Sequence, residues 1–291
     1  MISRVRPELL IVGAAVLWGT TGTAQDLGDV GASPVAVGTI RILLGGLLLA
    51  LIAGRSGRPT GPWAAYVVGA VTVAGYQASF FAAVDRAGVA LGTLVAIGSG
   101  PVFTGLVALL ASGERPARRW YAATGLAVIG CGLLLAPGGD RALDAAGLGL
   151  ALGAGLAYAV YTVAAKTVLD RGVPGPTVMA VLFLGGAVLL LPTLLVVDTD
   201  GLVSGRGVAM ELWLGVATVA FSYLLFAAGL RRLRASTVAT LSLTEPLTAA
   251  ALGVVVLGER PGGTAALGAA LLLSGLVVIS TERATAVVPE P

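Results

Sequence analysis

Two charged side chains inside long apolar stretches have the clearest capacity for chemistry. Glu245 lies in the apolar run 235–257 and is followed by Pro246. Counting about 1.5 Å per residue along a helix places its carboxyl roughly 15 Å from the start of the run, near the middle of a bilayer. A carboxylate at that depth costs about 2.5–3.5 kcal/mol on insertion scales. We expect Glu245 to carry a proton or to bind a cationic group of a ligand, although a protonated, purely structural glutamic acid would also fit.

Arg41 is the second such residue, and it lies well inside the apolar run 34–54. Its planar guanidinium suits a carboxylate or phosphate of a ligand. The long side chain could equally reach the membrane surface or pair with another group of the protein. The sequence leaves these three roles open.

Two prolines near the centres of apolar runs are expected to break helices. Pro101 and Pro246 have no N–H, and each clashes with the carbonyl four residues back. A carbonyl freed in this way must be satisfied in a membrane, so such breaks normally face protein or a wet cavity. Bent helices lining a transport path and simple packing kinks both fit this pattern.

Further polar and aromatic side chains fall inside the apolar runs rather than at their ends. Buried tyrosine and tryptophan need partners for their O–H and N–H groups. A shared internal cavity would supply them, and so would ordinary contacts between helices. The candidate substrate-binding residues are Trp18, Thr21, Arg41, Tyr76, Gln77, Phe80, Ser99, Tyr158, Tyr161, Thr162, Tyr223, Thr244 and Glu245.

The composition indicates that these residues belong to membrane-spanning helices. Hydrophobic residues make up 57% of the chain, charged residues only 11%, and the mean hydropathy is +0.96. Soluble domains carry about 25% charged residues. We therefore predict an all-α polytopic membrane protein with ten spans. The predicted spans are 7–25, 34–54, 62–84, 89–112, 117–137, 146–168, 175–197, 208–228, 235–257 and 262–281.

Several functions have no support in the sequence. The chain has no histidine, which removes the base that an intramembrane serine protease needs, and its single cysteine, Cys131, excludes an intrachain disulfide. A phosphate-binding Gly-x-x-x-x-Gly-Lys loop and a basic face with interleaved aromatics are both missing. We therefore expect neither an enzyme nor a nucleic-acid-binding protein, and no metal or cofactor.

An internal repeat divides the chain into halves. Gly113-Glu114-Arg115-Pro116 returns as Gly258-Glu259-Arg260-Pro261, 145 residues later (258 minus 113), and the same offset superposes Pro101 on Pro246. We predict five-helix repeats at 1–141 and 142–281, with a tail at 282–291. Because five is odd, the second repeat would be inverted in the membrane. In each tetrad, glycine is expected to end one helix and proline to start the next.

The distribution of arginine and lysine predicts the orientation. One side of the membrane would hold thirteen of these residues and the other side four. Since positive residues accumulate in cytoplasmic loops, both termini are predicted to be cytoplasmic. The larger set is Arg4, Arg6, Arg55, Arg58, Arg115, Arg118, Arg119, Lys166, Arg171, Arg231, Arg232, Arg234 and Arg283, and the smaller set is Arg86, Arg141, Arg206 and Arg260.

Taken together, these motifs resemble the EamA-type transporters of the drug/metabolite transporter superfamily. The resemblance covers essentially the whole chain. It rests on Trp18-Gly19-Thr20, Ser33-Pro34 with Arg41, Phe81-Ala82-Ala83, the prolines Pro101 and Pro246, and the two Gly-Glu-Arg sequences.

The resemblance implies ten helices around a central cavity lined mainly by spans one, three, four, six, eight and nine. It also implies export of amino acids or other small metabolites, by proton exchange or down a gradient. An uptake carrier or a passive channel for small amphiphilic solutes is the alternative. The expected partners are a small-molecule substrate and the lipid bilayer, while proton coupling and a homodimer are left open. The arginine-rich, lysine-poor composition favours a bacterial inner membrane.

Overall fold

The protein is helical throughout the part of the chain that the computed structural model describes. That part comprises residues 5–54, 58–87, 89–135, 144–258, 260 and 262–281. The α-helices are α1 (Pro7–Gly28), α2 (Pro34–Ala53), α3 (Trp63–Ala87), α4 (Val89–Ser112), α5 (Arg118–Leu134), α6 (Ala145–Leu169), α7 (Gly175–Leu190), α8 (Gly205–Trp213), α9 (Ser222–Leu230), α10 (Ala235–Ser242), α11 (Thr244–Val255) and α12 (Gly263–Ser280).

Eight helical stretches among the described residues are long and apolar enough to cross a membrane. They are Pro34–Ala53, Trp63–Val84, Gly92–Ser112, Ala145–Leu169, Gly175–Leu195, Gly205–Leu230, Ala235–Val255 and Gly263–Ser280. The predicted spans 7–25 and 117–137 correspond to α1 and α5, which fall outside this set. Helix α5 has only 17 residues. The tail 282–291 and parts of the predicted connecting loops lie outside the described residues.

Local sequence signals explain several helix ends. Ser33 caps α2 by accepting a bond from the Val35 amide at 3.3 Å, with Pro34 in the first turn. Asp144 caps α6 through the Ala146 amide at 2.9 Å and also binds Arg86 at 3.1 Å. Those two interactions, in that order, lower the pKa of the Asp144 carboxyl.

The Gly-Glu-Arg-Pro tetrads are only partly as expected. Gly113 and Gly258 have φ of +68° and +72°, and both follow the end of a helix as predicted. The prediction that Pro116 starts the next helix is wrong, because α5 begins at Arg118 after an extended residue at Ala117. The other members named in the second tetrad, Glu259 and Pro261, lie outside the described residues.

The two central prolines behave differently from each other. Helix α4 continues through Pro101 without interruption. In the later span, α10 ends at Ser242 and α11 begins at Thr244, so Pro246 lies in the first turn of α11. Its clash with the carbonyl of Ser242 is thereby avoided, because the hydrogen-bond ladder has already ended before the proline. The helix break therefore precedes Pro246 and lies at Leu243.

Contacts between loops define two sides of the helix bundle. On the side that we call the termini side, Arg6 donates to the Ser280 carbonyl at 3.1 Å, and Ser236 bonds Glu114 at 3.5 Å. On the opposite side, called the far side, the Ser33 amide donates to the Asp198 carbonyl at 2.9 Å. Arg86 and Asp144 also meet on the far side.

The helices pack in pairs around one large and two smaller clusters of buried apolar side chains. Close pairs are α3 with α6, α5 with α12, α2 with α7, α4 with α6, and α1 with both α9 and α11. Between α8 and α9 the chain forms a π-helical segment, Leu214–Phe221. This segment packs against α2. Glycines permit the closest approaches; a Cβ atom at Gly45, for example, would lie 2.4 Å from side-chain atoms of Val219.

Candidate functional site

A cavity of about 420 Å³ lies between the helices. Its size is within the range of small-molecule sites. Side chains from α1, α2, α3, α4, α6, α7, α9, α10 and α11 contribute to its wall, together with the π-helical segment. The site is therefore formed by helices from both halves of the chain.

Most of the residues singled out in the sequence line this cavity, although their roles in binding remain predictions. The lining members of that set are Trp18, Thr21, Arg41, Tyr76, Gln77, Phe80, Tyr158, Tyr161, Tyr223 and Glu245, together with Pro101 and Pro246.

Three predicted residues lie outside the lining. The Ser99 hydroxyl donates to the Ala96 carbonyl at 3.3 Å and faces Gly155, where α4 and α6 touch. Thr162 is fully buried within α6. The Thr244 hydroxyl donates to the Leu241 carbonyl at 2.8 Å, across the break between α10 and α11. In the present geometry these three side chains make contacts within and between helices.

A layer of aromatic side chains forms the termini-side floor of the cavity. The hydroxyls of Tyr161 and Tyr223 are 3.0 Å apart, and the rings of Tyr223 and Phe183 have centroids 4.2 Å apart. Tyr158 donates to the Ser242 hydroxyl at 3.1 Å, next to the helix break. These bonds satisfy polar groups that face the interior and hold three helices in register.

Trp18 is fixed in the same layer. Its indole N–H donates to the Ser222 hydroxyl at 2.9 Å, and that hydroxyl donates to the Thr218 carbonyl at 2.6 Å. The bond joins α1 to the start of α9 in a buried position. Trp18 was a candidate site residue in the sequence, whereas its partner Ser222 was not.

Arg41 is held inside the cavity by groups of the protein. Its Nη2 donates to Gln77 Oε1 at 3.1 Å, while Gln77 Nε2 donates to the Gly38 carbonyl at 3.1 Å. Gln77 is buried, so this amide is a fixed support that links α3 to α2.

Glu245 occupies the first turn of α11 and is partly exposed to the cavity. Gly19 on α1 lies directly against the carbonyl of Glu245, where a Cβ atom would be 2.7 Å from that oxygen. Arg41 and Glu245 both line the cavity. One cation and one carboxyl group therefore share a single cavity.

Several polar residues around the site were not among the candidates predicted from the sequence. Thr218 and Asp26 line the cavity, and Ser222 lies beneath it. Glu211 on α8 is buried, and neither of its carboxylate oxygens has a hydrogen-bond partner. A signal for Glu211 was present, because it is a carboxylate inside a predicted span. Among the described residues, no group of three His, Cys, Asp or Glu side chains is placed to hold a metal ion.

The cavity reaches toward only one side of the bundle. Its lining extends to helix ends on the far side, at Asp26, Pro34 and Val84. Below the aromatic floor, fully buried side chains such as Phe226 and Leu230 fill the space toward the termini side. The structure therefore closes the termini side and leaves the lining directed to the far side.

Comparisons with known proteins agree with this architecture. The model of a family described as the EamA-like transporter family matches residues 5–136 and again residues 145–281. The uncharacterised transporter YwfM of Bacillus subtilis (strain 168) is 41% identical over 276 residues, which cover 94% of this chain and 93% of YwfM.

A named exporter and a solved structure are also similar to this chain. The threonine/homoserine exporter RhtA of Escherichia coli (strain K12) is 31% identical over 208 residues, covering 70% of this chain and 67% of RhtA. A solved crystal structure superposes with a TM-score of 0.82 at 24% identity, covering 94% of this chain and 96% of that one. At that identity, the likeness to the crystal structure concerns the fold alone.

Proposed function

Because the chain belongs to the EamA-like transporter family, we propose that it is a secondary transporter that exports amino acids or closely related metabolites by alternating access. It is a multi-pass membrane transporter and not an enzyme. The observation that carries the proposal is the presence of Arg41 and Glu245 in one cavity of suitable size. We place the protein in a bacterial inner membrane with cytoplasmic termini.

The two charges match the two ends of an amino acid. A substrate carboxylate would bind the guanidinium of Arg41, which Gln77 already orients. The substrate ammonium would bind the carboxylate of Glu245 on the neighbouring wall. The aromatic layer beneath them offers apolar surface and tyrosine hydroxyls to a small side chain. RhtA is named a threonine/homoserine exporter, so these two amino acids are the first substrates to test.

The packing supports two inverted repeats. With the offset of 145 between the tetrads, Gly130 corresponds to Gly275, and Ala123 corresponds to Gly268. Gly130 packs on Gly268, and Gly275 packs on Ala123. A twofold axis that exchanges the halves would exchange these two contacts. The close pairs α3 with α6 and α9 with α1 are related in the same way.

Inverted repeats provide a route to alternating access. With cytoplasmic termini, the structure corresponds to an outward-facing state, because its cavity is directed to the far side. Exchange of the two repeats' conformations would close that side and open the termini side. Glu245 could then alternate between a proton and the substrate ammonium, which would couple export to proton entry.

Counterflow in proteoliposomes tests the proposal. We expect saturable exchange of labelled threonine or homoserine by the wild type, with strong loss in Arg41→Gln and Glu245→Gln. Arg86→Gln and Asp144→Asn serve as matched controls, because their side chains form an exposed pair away from the cavity. Flux that does not saturate would favour a passive channel. Unchanged exchange in both cavity variants would remove the charge pair from the mechanism.

The direction of transport needs a separate measurement. Right-side-out and inside-out vesicles loaded with the same labelled amino acid would show whether an imposed proton gradient drives export. Accumulation driven inward in right-side-out vesicles would identify an uptake carrier instead.

A further inference from the structure

A second carboxyl group lies outside the cavity lining, on a helix that packs against the one that carries Arg41. Glu211 belongs to the second turn of α8, and 4% of its surface is exposed. Neither of its carboxylate oxygens has a hydrogen-bond partner. Its apolar surroundings include Met210, Leu214 and Val37, which are all buried. Burying a charged carboxylate in such a position costs free energy unless a nearby cation compensates its charge.

Arg41 lies where the chain that follows Glu211 packs against α2. A Cβ atom at Gly215, one turn after Glu211, would be 3.4 Å from the Arg41 carbonyl oxygen, and Glu245 lines the same cavity as Arg41. The Nε of Arg41 is itself buried without a hydrogen-bond partner, while Nη2 is occupied by Gln77. The guanidinium therefore has unused donor capacity that a carboxylate on either side, or a ligand, could take.

Other charged groups on the elements packed against Glu211 do not change this balance. Helix α8 packs against α1 and α2 and continues into the π-helical segment. Asp26 on α1, Asp29 just after it, and Arg206 in the first turn of α8 are all exposed to solvent. Arg41 and Glu245 face the cavity, and Glu211 is the buried member of the three. Burial without a partner disfavours the charged form of a carboxyl group, so of the two carboxyl groups Glu211 has the surroundings that favour the neutral form.

We propose that Glu211 is a proton-binding site whose proton keeps Arg41 available to the anionic group of the substrate. With Glu211 neutral and Glu245 ionised, the site presents a free cation and a free anion to a zwitterion. When Glu211 loses its proton to water, its carboxylate pairs with Arg41 and competes with the substrate carboxylate. This inference rests on the proposed function for its ligand but not for the proton site itself.

The proton site can be tested without a substrate. Infrared difference spectra of the purified protein, taken in H₂O and D₂O across a pH titration, report protonated carboxyl groups. We expect one carboxylic-acid band of the wild type to be missing from Glu211→Gln and retained in Asp29→Asn, which alters an exposed carboxyl just after α1 that does not line the cavity. If Glu211→Gln does not fold, Glu211→Asp replaces it and should displace the band. An unchanged band in either Glu211 variant would overturn the proposal.

The coupling to ligand binding is tested with L-threonine by calorimetry at a series of pH values. On the alkaline side the wild-type affinity should fall by about tenfold per pH unit as Glu211 loses its proton, because binding then requires uptake of one proton. Glu211→Gln should lose this decline, whereas Asp29→Asn should keep it. An identical decline in Glu211→Gln and the wild type would contradict the coupling.

The two tests distinguish a failure of the proposed function from a failure of the proposed role of Glu211. If threonine and homoserine do not bind the wild type, the proposed substrate class is wrong, and the infrared result still decides whether Glu211 holds a proton. If threonine binds with the wild-type pH dependence in Glu211→Gln, the transporter proposal stands and the role of Glu211 is refuted.

Discussion

Gly130 on α5 and Gly268 on α12 lie against each other's backbone. A Cβ atom added to either glycine would be 2.7 Å from the carbonyl oxygen of the other. The contact is reciprocal, and it brings one helix from each half of the chain together without an intervening side chain. Small residues at such positions are what allows close helix packing in membranes.

Enlarging this contact should destabilise the protein. We expect Gly130→Ala to lower the free energy of unfolding by about 1–3 kcal/mol, as other overpacked interiors do, since its Cβ would meet backbone atoms that cannot move alone. Gly132→Ala is the matched control on the same helix, because no atom lies within 4 Å of its added Cβ. Melting temperatures in detergent provide the measurement, and equal values for both variants would show that α5 and α12 can separate freely.

A second close approach positions Glu245. The Cβ of a Gly19→Ala variant would lie 2.6 Å from the Thr248 Cβ and 2.7 Å from the Glu245 carbonyl. We expect this variant to push α1 from α11 and to reduce threonine exchange in proteoliposomes. In Gly13→Ala the added atom meets only Leu225 Cδ1 at 3.4 Å, so its exchange should match the wild type. Normal exchange by Gly19→Ala would mean that this spacing is unimportant.

The buried bond between Trp18 and Ser222 should contribute to stability. Ser222→Ala leaves the indole N–H without its acceptor, which typically costs about 1–3 kcal/mol in a buried site. Ser274→Ala is the control, because the Ser274 hydroxyl makes an i to i−4 bond to Ala270 on an exposed surface. Its effect on the melting temperature should be close to zero. A comparable loss in the two variants would argue that the Trp18 bond adds nothing.

The burial of Glu114, which lies outside the membrane spans, predicts that the stability of the protein depends on pH. Burial raises the pKa of its carboxyl above the ordinary value of 4.5, although Lys166 acts in the opposite direction. The folded protein therefore binds more protons than the unfolded chain between 4.5 and the raised pKa, so stability should fall as pH rises through that interval. Glu114→Gln should flatten this slope, as seen in melting curves across pH. A slope that persists in Glu114→Gln must come from another group.

Charge recognition can be examined with substrate analogues. Threoninamide lacks the carboxylate that Arg41 would bind, so it should compete with threonine at least about tenfold more weakly, given about 1.5–3 kcal/mol for a hydrogen bond to a charged group. Arg41→Gln should abolish this preference, and Arg86→Gln should preserve it. Equal competition by threonine and its amide in the wild type would show that the cavity does not recognise the substrate carboxylate.

The sequence indicated a helical membrane protein because hydropathy and length are local properties of the chain. The span predicted at 89–112 has the bounds of α4, and the span at 34–54 differs from α2 by a single residue. Irregularities within the spans were harder to predict from the sequence. The π-helical segment before α9 and the break at Leu243 depend on how neighbouring helices accommodate the backbone, which no local pattern reports.

The charged residues of the site were also visible in the sequence, since a carboxylate or a guanidinium inside an apolar run is costly anywhere in a membrane. Their partners were not. Gln77 holds Arg41, Ser222 accepts the bond from Trp18, and the helix of Glu211 packs against the helix of Arg41. These pairings follow from the rotation and spacing of helices far apart in the chain. Local composition determined which side chains needed partners, and only tertiary packing decided which partners they met.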